Sequence, residues 1–318
     1  MPDRLRYLRL VFVSTCAILY AAGDSVLNAQ SPVENLGLNP PIKVMSFNIR
    51  YGSANDGDNR WERRADLVAE TIALFDPDIL GMQEVLDFQA QFLQERLPGY
   101  TFHGAGRDDG ESQGEFAPVM FKSDRFDLID AGHFWLSETP DTPGSRGWDA
   151  ALPRLVSWVH LGDKQAPTRQ SNGSSSTGPH HPQLVVFNTH FDHRGRVARL
   201  HSAQLLRKRA DEFAQRGIPL IITGDFNTTE DQRPYAELVN GGEPGQLTLL
   251  DSYRQHHQRR SEYESTFSAW RGNRKGSRID WILHSPDFTT LQSMINGTHD
   301  GDRYPSDHYP VQAILRLR

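Results

Sequence analysis

The chain has 318 residues, 37% of them apolar and 23% charged, with a formal net charge of −6. That length and composition fit one large soluble α/β domain or two small ones, and they exclude a disordered chain of like charges. The acidic balance argues against tight, nonspecific binding of long duplexes, although a local metal can supply the positive charge that a phosphate needs.

At the N-terminus Arg4, Arg6 and Arg9 precede an uncharged stretch over residues 10–22, the order of a secretory signal. That stretch is shorter than the roughly 20 residues needed to span a bilayer. Export, periplasmic or secreted, is therefore expected, with residues 1–29 as signal peptide and an uncleaved membrane anchor as the alternative. Cleavage after Gly23 and after Ala29 both stay open. Cys16, the only cysteine, lies inside the apolar stretch, so the mature chain has neither disulfides nor thiolate zinc sites. Residues 1–29 hold three arginines and two aspartates, so their removal takes the charge from −6 to −7.

Residues 30–41, with Pro32, Pro40 and Pro41, read as a tether. The alternating, β-branched run 42–49 predicts a strand. Leu67, Val68, Ile72 and Phe75 carry helical spacing over residues 61–75, ending before Asp76-Pro77. A short buried strand over 78–84 and a helix through Phe88, Phe92 and Leu93 follow, the helix stopping at Pro98-Gly99. Strand-like runs cover 100–104, 116–121, 126–132 and 155–161. Residues 164–182, rich in Ser, Gly and Thr, cannot bury a core and predict a surface insertion. His180 and His181 belong to that loop rather than to a metal site. Beyond it come a strand over 184–189, an amphipathic helix over 196–215, and strands over 218–223, 279–283, 288–294 and 311–315. Strands spread along the whole chain, with helices between only some, predict mixed sheets. There is no internal repeat and no central linker, so residues 42–318 form one domain.

Polar residues cluster just past the ends of these apolar runs. Asn48, Glu84 and His190 end strands, Asp225 and Asn227 follow one in Gly224-Asp225-Phe226-Asn227, Asp280 opens one, and Ser306-Asp307-His308 precedes the last. Side chains at strand ends sit on a rigid scaffold yet reach an open edge. The carboxylates of Glu84, Asp225, Asp280 and Asp307, with Asn48 and Asn227, are hard oxygen donors suited to Mg²⁺ or Mn²⁺. His190 and His308 suit a phosphate or a leaving oxygen. No serine nucleophile elbow and no Walker loop is present, so the chemistry is attack by water. Each motif alone has a plainer reading: a strand-end turn for Gly224–Asn227, a cap for Ser306–His308, an ion pair with Arg278 or Arg274 for Asp280. Their joint occurrence outweighs those readings.

At these residues the chain resembles the endonuclease/exonuclease/phosphatase superfamily, which includes deoxyribonuclease I, repair nucleases, inositol polyphosphate 5-phosphatases, neutral sphingomyelinases and nocturnin-like deadenylases. The resemblance rests on Ser46-Phe47-Asn48-Ile49-Arg50, Gln83-Glu84-Val85, Asn188-Thr189-His190-Phe191-Asp192-His193, the Gly224 and Ser306 motifs, and Arg278-Ile279-Asp280-Trp281. Phe134-Trp135-Leu136-Ser137-Glu138-Thr139-Pro140 and Gly147-Trp148-Asp149 point to a bacterial branch nearest the deadenylase-like group.

The resemblance implies a four-layered α/β sandwich of two packed mixed sheets flanked by helices. It implies a metal held by Glu84, with Asn48 and Asp307, and catalysis by His190, Asp225, Asn227, Asp280 and His308. In it Asp225 directs the water, Asn227 positions water and phosphate, and Asp280 orients His308. Arg154 and Asp192 are secondary candidates, for the phosphate and for fixing a histidine, with a structural ion pair as their plainer role. The expected substrate is a phosphate ester, foremost of a nuclease or exonuclease type and including short nucleic acid or nucleotides. Arg254, Arg259, Arg260, Arg271, Arg274 and Lys275 offer a modest basic cluster for it. Phosphatase action on sugar, inositol or lipid phosphates is the alternative, and an inactive binding module the alternative of another class. A monomer without stable membrane insertion is expected.

Overall fold

The computed structural model describes residues 38–168, 181–241 and 247–318. The expected signal peptide, residues 30–37 of the tether, and residues 169–180 of the insertion lie outside the described residues.

In chain order the elements open with β1 (Ile42–Asn48), α1 (Trp61–Phe75), β2 (Ile79–Gln83), α2 (Asp87–Arg96), β3 (Tyr100–His103) and β4 (Val119–Lys122). They continue with β5 (Phe126–Trp135), β6 (Leu155–Asp163), β7 (Gln183–His190), α3 (Arg196–Ala214) and β8 (Leu220–Asp225). The last are α4 (Arg233–Val239), β9 (Leu250–Asp251), α5 (Ser252–His256), β10 (Asp280–His284), β11 (Phe288–Ile295) and β12 (Val311–Leu317). One sheet runs β11-β12-β1-β2-β4-β3 and the other β5-β6-β7-β8-β10-β9. Within each, one central pair is parallel, β1 with β2 and β7 with β8, and its crossover is a helix, α1 or α3. The other pairings are antiparallel, so both sheets are mixed.

The strands read as nearly continuous apolar runs because both of their faces are covered. In β1, Val44 points between the sheets with Ile79 and Phe121, against Val159, Val186 and Ile221 of the other sheet. Its neighbours Met45 and Phe47 point outward and pack on Val68 and Ile72 of α1 and Leu93 of α2. On the far side, Val185, Phe187 and Ile222 meet Ala203 and Leu206 of α3 and Leu238 of α4. The result is the four-layered sandwich. Each fully buried aliphatic or aromatic side chain contributes roughly 1.5–3 kcal/mol. The helix α1 stops where expected: Asp76 takes φ 51°, its N–H closes on Ile72 O, and Pro77 forbids another turn.

Near the functional edge the two sheets are stitched by polar groups. Asn188 donates to Met82 O (2.6 Å) and Pro118 O (2.8 Å), while its Oδ1 accepts from Gln83 (2.7 Å) and Thr223 (2.9 Å). Position 81 must be glycine for this approach, since a Cβ there would overlap Thr223 Oγ1 and stand 2.6 Å from Asn188 Oδ1. Residues 38–41, expected within the tether, belong to the packed fold: Asn39 is buried and donates to Leu317 O, and Arg125 donates to Pro41 O.

On edge strands of the two sheets, His103 of β3 and His133 of β5 stack face to face, with centroids 4.4 Å apart. Burial holds both below the ordinary imidazole range, His133 down to about 4 with the neighbouring imidazole adding to the effect. The unfolded chain therefore binds more protons than the native one below its ordinary pKa of about 6.5, and stability falls as pH drops from there toward 4. His133→Asn is expected to lessen the loss of melting temperature between pH 7.5 and pH 5. A pH dependence of melting identical to wild type would remove the pair from the acid response.

Candidate active site

The site grows from the ladder around β8. Its last residue, Asp225, lies opposite His190 on the parallel side and opposite Asp280 on the antiparallel side. Gly224 allows close contact, since a Cβ there would stand 2.7 Å from Thr189 O. Phe226 turns inward and stacks on Trp281 with centroids 4.6 Å apart, which fixes the strand end. Asn227 then adopts φ 48°, and its N–H donates to Asp225 Oδ1 (2.9 Å). This turn aims its side-chain amide at His190 Nε2 and Phe191 O, both 3.0 Å away.

From the other sheet come Asn48, at the end of β1, and Glu84, just past β2 with φ 59°. The Asn48 amide spans the two carboxylates, donating to Glu84 Oε1 and Asp225 Oδ2 at 3.0 Å each. Its oxygen accepts from Arg50 N (2.9 Å), so Asn48 also bridges the two acids beside the expected metal position. Ser306 ties the last motif in by donating to Asn48 O (2.7 Å). His308 Nδ1 lies 3.0 Å from Asp280 Oδ2, and its Nε2 lies 3.8 Å from Asp225 Oδ2. The plainer reading of Asp280 as a partner of Arg278 does not hold. Arg278 is fully buried between Glu230 and Asp251 instead.

Electrostatics follow from this crowding. Burial would push His308 down, but the Asp280 and Asp225 carboxylates outweigh it and hold His308 well above its ordinary range. Asp225 is pushed up to about 7 by burial and the charge of Asp280, with His308 opposing. Burial and nearby Glu84 also raise Asp307. His190 is held far below its usual value by burial and by Arg154 and Arg107, so it is neutral. Ligand atoms of Glu84, Asp225 and His308 lie within 4.8 Å of one another, with Asp307 beside them. Raised carboxylates in a buried oxygen-rich cluster are a donor set short of positive charge, and that fits a hard divalent cation.

The cleft at this edge holds about 700 Å³ and is lined by Glu84, Asn227, Asp307 and His308 on one side. Of its other wall, only Arg154 was expected from the sequence. Arg107 and Glu115, from the loop before β4, meet Arg154 from the start of β6. Glu115 Oε2 accepts from Arg107 (2.6 Å) and lies 3.8 Å from both Arg154 Nη1 and His190 Nδ1. Arg154 is 4% exposed, and its Nε and Nη1 make no hydrogen bond, nor does Arg107 Nε. Glu115 precedes an apolar run, the same signal that marked Ser306-Asp307-His308, and could have been found by it. Asp192 is not among the residues lining the cleft. Its buried carboxylate accepts from the N–H groups of Arg194, Gly195 and Leu152, which holds the loop, and stands 3.6 Å from Arg154. Arg154 faces the cleft as expected. All the residues proposed as catalytic thus converge on one strand edge.

Comparison with known proteins agrees with this geometry. The sequence profile described as the Endonuclease/Exonuclease/phosphatase family matches residues 45–308. Nocturnin of Rattus norvegicus is 26% identical over 307 residues, covering 85% of this chain, which spans 63% of that relative's length. A solved mannosyl-6-phosphatase of Bacteroides thetaiotaomicron is 35% identical, with TM-score 0.75 over 86% of this chain and 99% of that one. A Bacteroides vulgatus protein described as an endonuclease/exonuclease/phosphatase is 33% identical, with TM-score 0.77 over 88% of this chain and 100% of its own. The human Nocturnin catalytic domain with bound sulfate anion shares the fold, with TM-score 0.67 at 22% identity over 89% and 97% of the two chains.

Proposed function

The chain belongs to the endonuclease/exonuclease/phosphatase family of phosphoester hydrolases, and from that premise we propose that it is a divalent-metal-dependent phosphomonoesterase acting on a phosphorylated sugar. The observation that carries the choice of monoester is the wall of Arg107, Glu115 and Arg154, whose two guanidinium groups are buried. A diester needs room for an arm on each side of phosphorus, whereas a buried guanidinium with free N–H groups suits the terminal oxygens of a dianion. The mannosyl-6-phosphatase at 35% identity supports the same reading.

The nuclease alternative leans on a basic surface whose charge is largely consumed. Arg254 pairs with Glu230 and Glu264, Arg260 with Glu230 and Asp231, and Lys275 with Glu262.

The roles follow from the distances. Asp225, held by Asn48 and by the N–H of Asn227, aligns water and takes its proton as oxygen attacks phosphorus; the P–O bond to the sugar breaks and the leaving oxygen takes a proton from solvent. His308, kept cationic by Asp280, offsets charge on the phosphoryl oxygens, and Arg154 with Arg107 receives the terminal ones. Neutral His190 and the Asn227 amide beside it contact the same oxygens. Glu84, with the carboxylates of Asp225 and Asp307 beside it, would hold the cation, which when bound adds Lewis-acid polarisation of the phosphoryl group.

With Mg²⁺ or Mn²⁺ supplied, kcat/KM for a hexose 6-phosphate should exceed that for bis-p-nitrophenyl phosphate or a short oligonucleotide by about 10²-fold, near 2.7 kcal/mol of barrier. Equal or faster cleavage of either diester would return the nuclease reading to first place.

A further inference from the structure

A second cleft, of about 660 Å³, opens beside the first. It is floored by the first turn of α3 (Arg196, Val197, Arg199, Leu200) and by Gln232 and Arg233 at the start of α4. Thr228, which follows Asn227 directly, reaches its rim. The β7–α3 loop, residues 191–195, forms a ridge whose His193 lines the active cleft, while Arg196 just past it lines this one. The two basins, of nearly equal volume, also share the Asn227-Thr228 turn.

Positive charge gathers along this path. Arg194 and Arg196 on the ridge, and Arg233 across from them, are exposed, and among the described residues none has an ion-pair partner. The carboxylates in the same basin are occupied. Asp149 accepts from the N–H groups of Val197 and Ala198, capping α3, and Asp231 pairs with Arg260. The helix terminus is thus already satisfied, and what the basin offers a ligand is its guanidinium groups. Arg199 is buried and rigid, donating to Asp192 O (2.8 Å), the same residue whose carboxylate shapes the ridge. Elsewhere arginines are mostly tied into acids, as Arg125, Arg254 and Arg278 are.

We propose that this second basin binds a second phosphoryl group of the substrate, so that the preferred substrate is a sugar bisphosphate whose reacting phosphate sits in the active cleft. The inference rests on the phosphomonoesterase reading above. Arginine forks in pairs suit a phosphate dianion, and Val197 and Leu200 between them suit the apolar face of a sugar ring. Because Arg196 and Arg233 are exposed, the preference is screened by salt.

The test compares wild type with Arg196→Glu/Arg233→Glu, using a hexose 6-phosphate, the hexose 1,6-bisphosphate and p-nitrophenyl phosphate. Wild type should show a KM for the bisphosphate about tenfold below that for the monophosphate, shrinking as ionic strength rises through roughly 0.1 to 0.5 M. The double variant should lose that advantage while keeping its kcat on p-nitrophenyl phosphate. Cleavage of the monophosphate with no bisphosphate advantage in wild type, or an advantage that survives charge reversal, overturns the second site and leaves the phosphomonoesterase reading intact. Failure to cleave either hexose phosphate overturns that earlier reading instead. Calorimetric titration of the same two proteins with the bisphosphate then decides the basin alone, and equal affinities would overturn it.

Discussion

Replacing His308 with alanine should lower kcat by about 10²–10⁴ with little change in KM. The imidazole is 5% exposed and lies between two carboxylates, 3.0 Å from Asp280 and 3.8 Å from Asp225. Those charges keep it protonated, so it meets a phosphoryl group as a fixed cation that needs no reorganisation as charge develops. Asp280 touches no cleft space, and its value to the reaction passes through His308. Asp280→Asn should therefore also reduce kcat and move the basic limb of the pH–rate profile to lower pH, because the imidazolium loses its stronger partner. The double variant His308→Ala/Asp280→Asn should be no slower than His308→Ala, the non-additivity expected of residues acting as a unit. It should also melt higher than His308→Ala, since removing only the histidine leaves a buried carboxylate unpaired, a cost of about 3–5 kcal/mol. Circular dichroism and p-nitrophenyl phosphate turnover read both effects. A near-normal rate for His308→Ala would take the residue out of the site.

Most of the architecture was legible because the signals were local. The helix over 61–75 matches α1, and the amphipathic run from 196 matches α3, since both bury a continuous stripe between defined stops. The short elements α4, β9 and α5 escaped, because seven, two and five residues carry too little periodicity, although Pro234 near the start of α4 is a start signal. At the site, Glu84, Asp225 and His308 were legible as polar residues interrupting apolar strands. Arg107 was not: it lies in a turn built by Asp109, Gly110 and Gly114, and only closure of that loop brings it to Arg154. Nor does sequence reveal that Arg50, Glu84 and Asn227 all adopt positive φ, a strained backbone that the surrounding ladder and hydrogen bonds must impose. Glu84 in that conformation points its carboxylate back toward Asn48 instead of into solvent, where an ordinary strand-end glutamate would go. The nuclease-like basic cluster shows the opposite failure. Arg254 and Arg260 are present, but acids distant in sequence, such as Glu230 and Asp231, pair with them, and no spacing rule foretells such pairs.

Chelation, and separately Glu84→Gln, should each abolish turnover to below about 10⁻³ of wild type, the scale on which removal of a fixed charge at phosphorus is felt. Glu84, Asp225 and Asp307 place three acids in one buried corner, and Arg50 approaches no nearer than 3.8 Å to Glu84 and 3.9 Å to Asp307. Repulsion among the acids is part of what raises Asp307, so a bound cation should relieve it and stabilise the fold as well. At a metal concentration of about 100 times Kd the linkage amounts to about 2.7 kcal/mol. For a domain of this size that is a rise in melting temperature of several degrees, at roughly 2–4 °C per kcal/mol. Glu84→Gln should lose most of that rise while folding normally, because the neutral amide keeps the shape and a hydrogen-bonding oxygen for Tyr51 N. This pairing of readouts separates a metal that serves catalysis from one that merely stabilises. Activity undiminished by EDTA would end the metal mechanism, and a melting shift unchanged in Glu84→Gln would move the cation elsewhere.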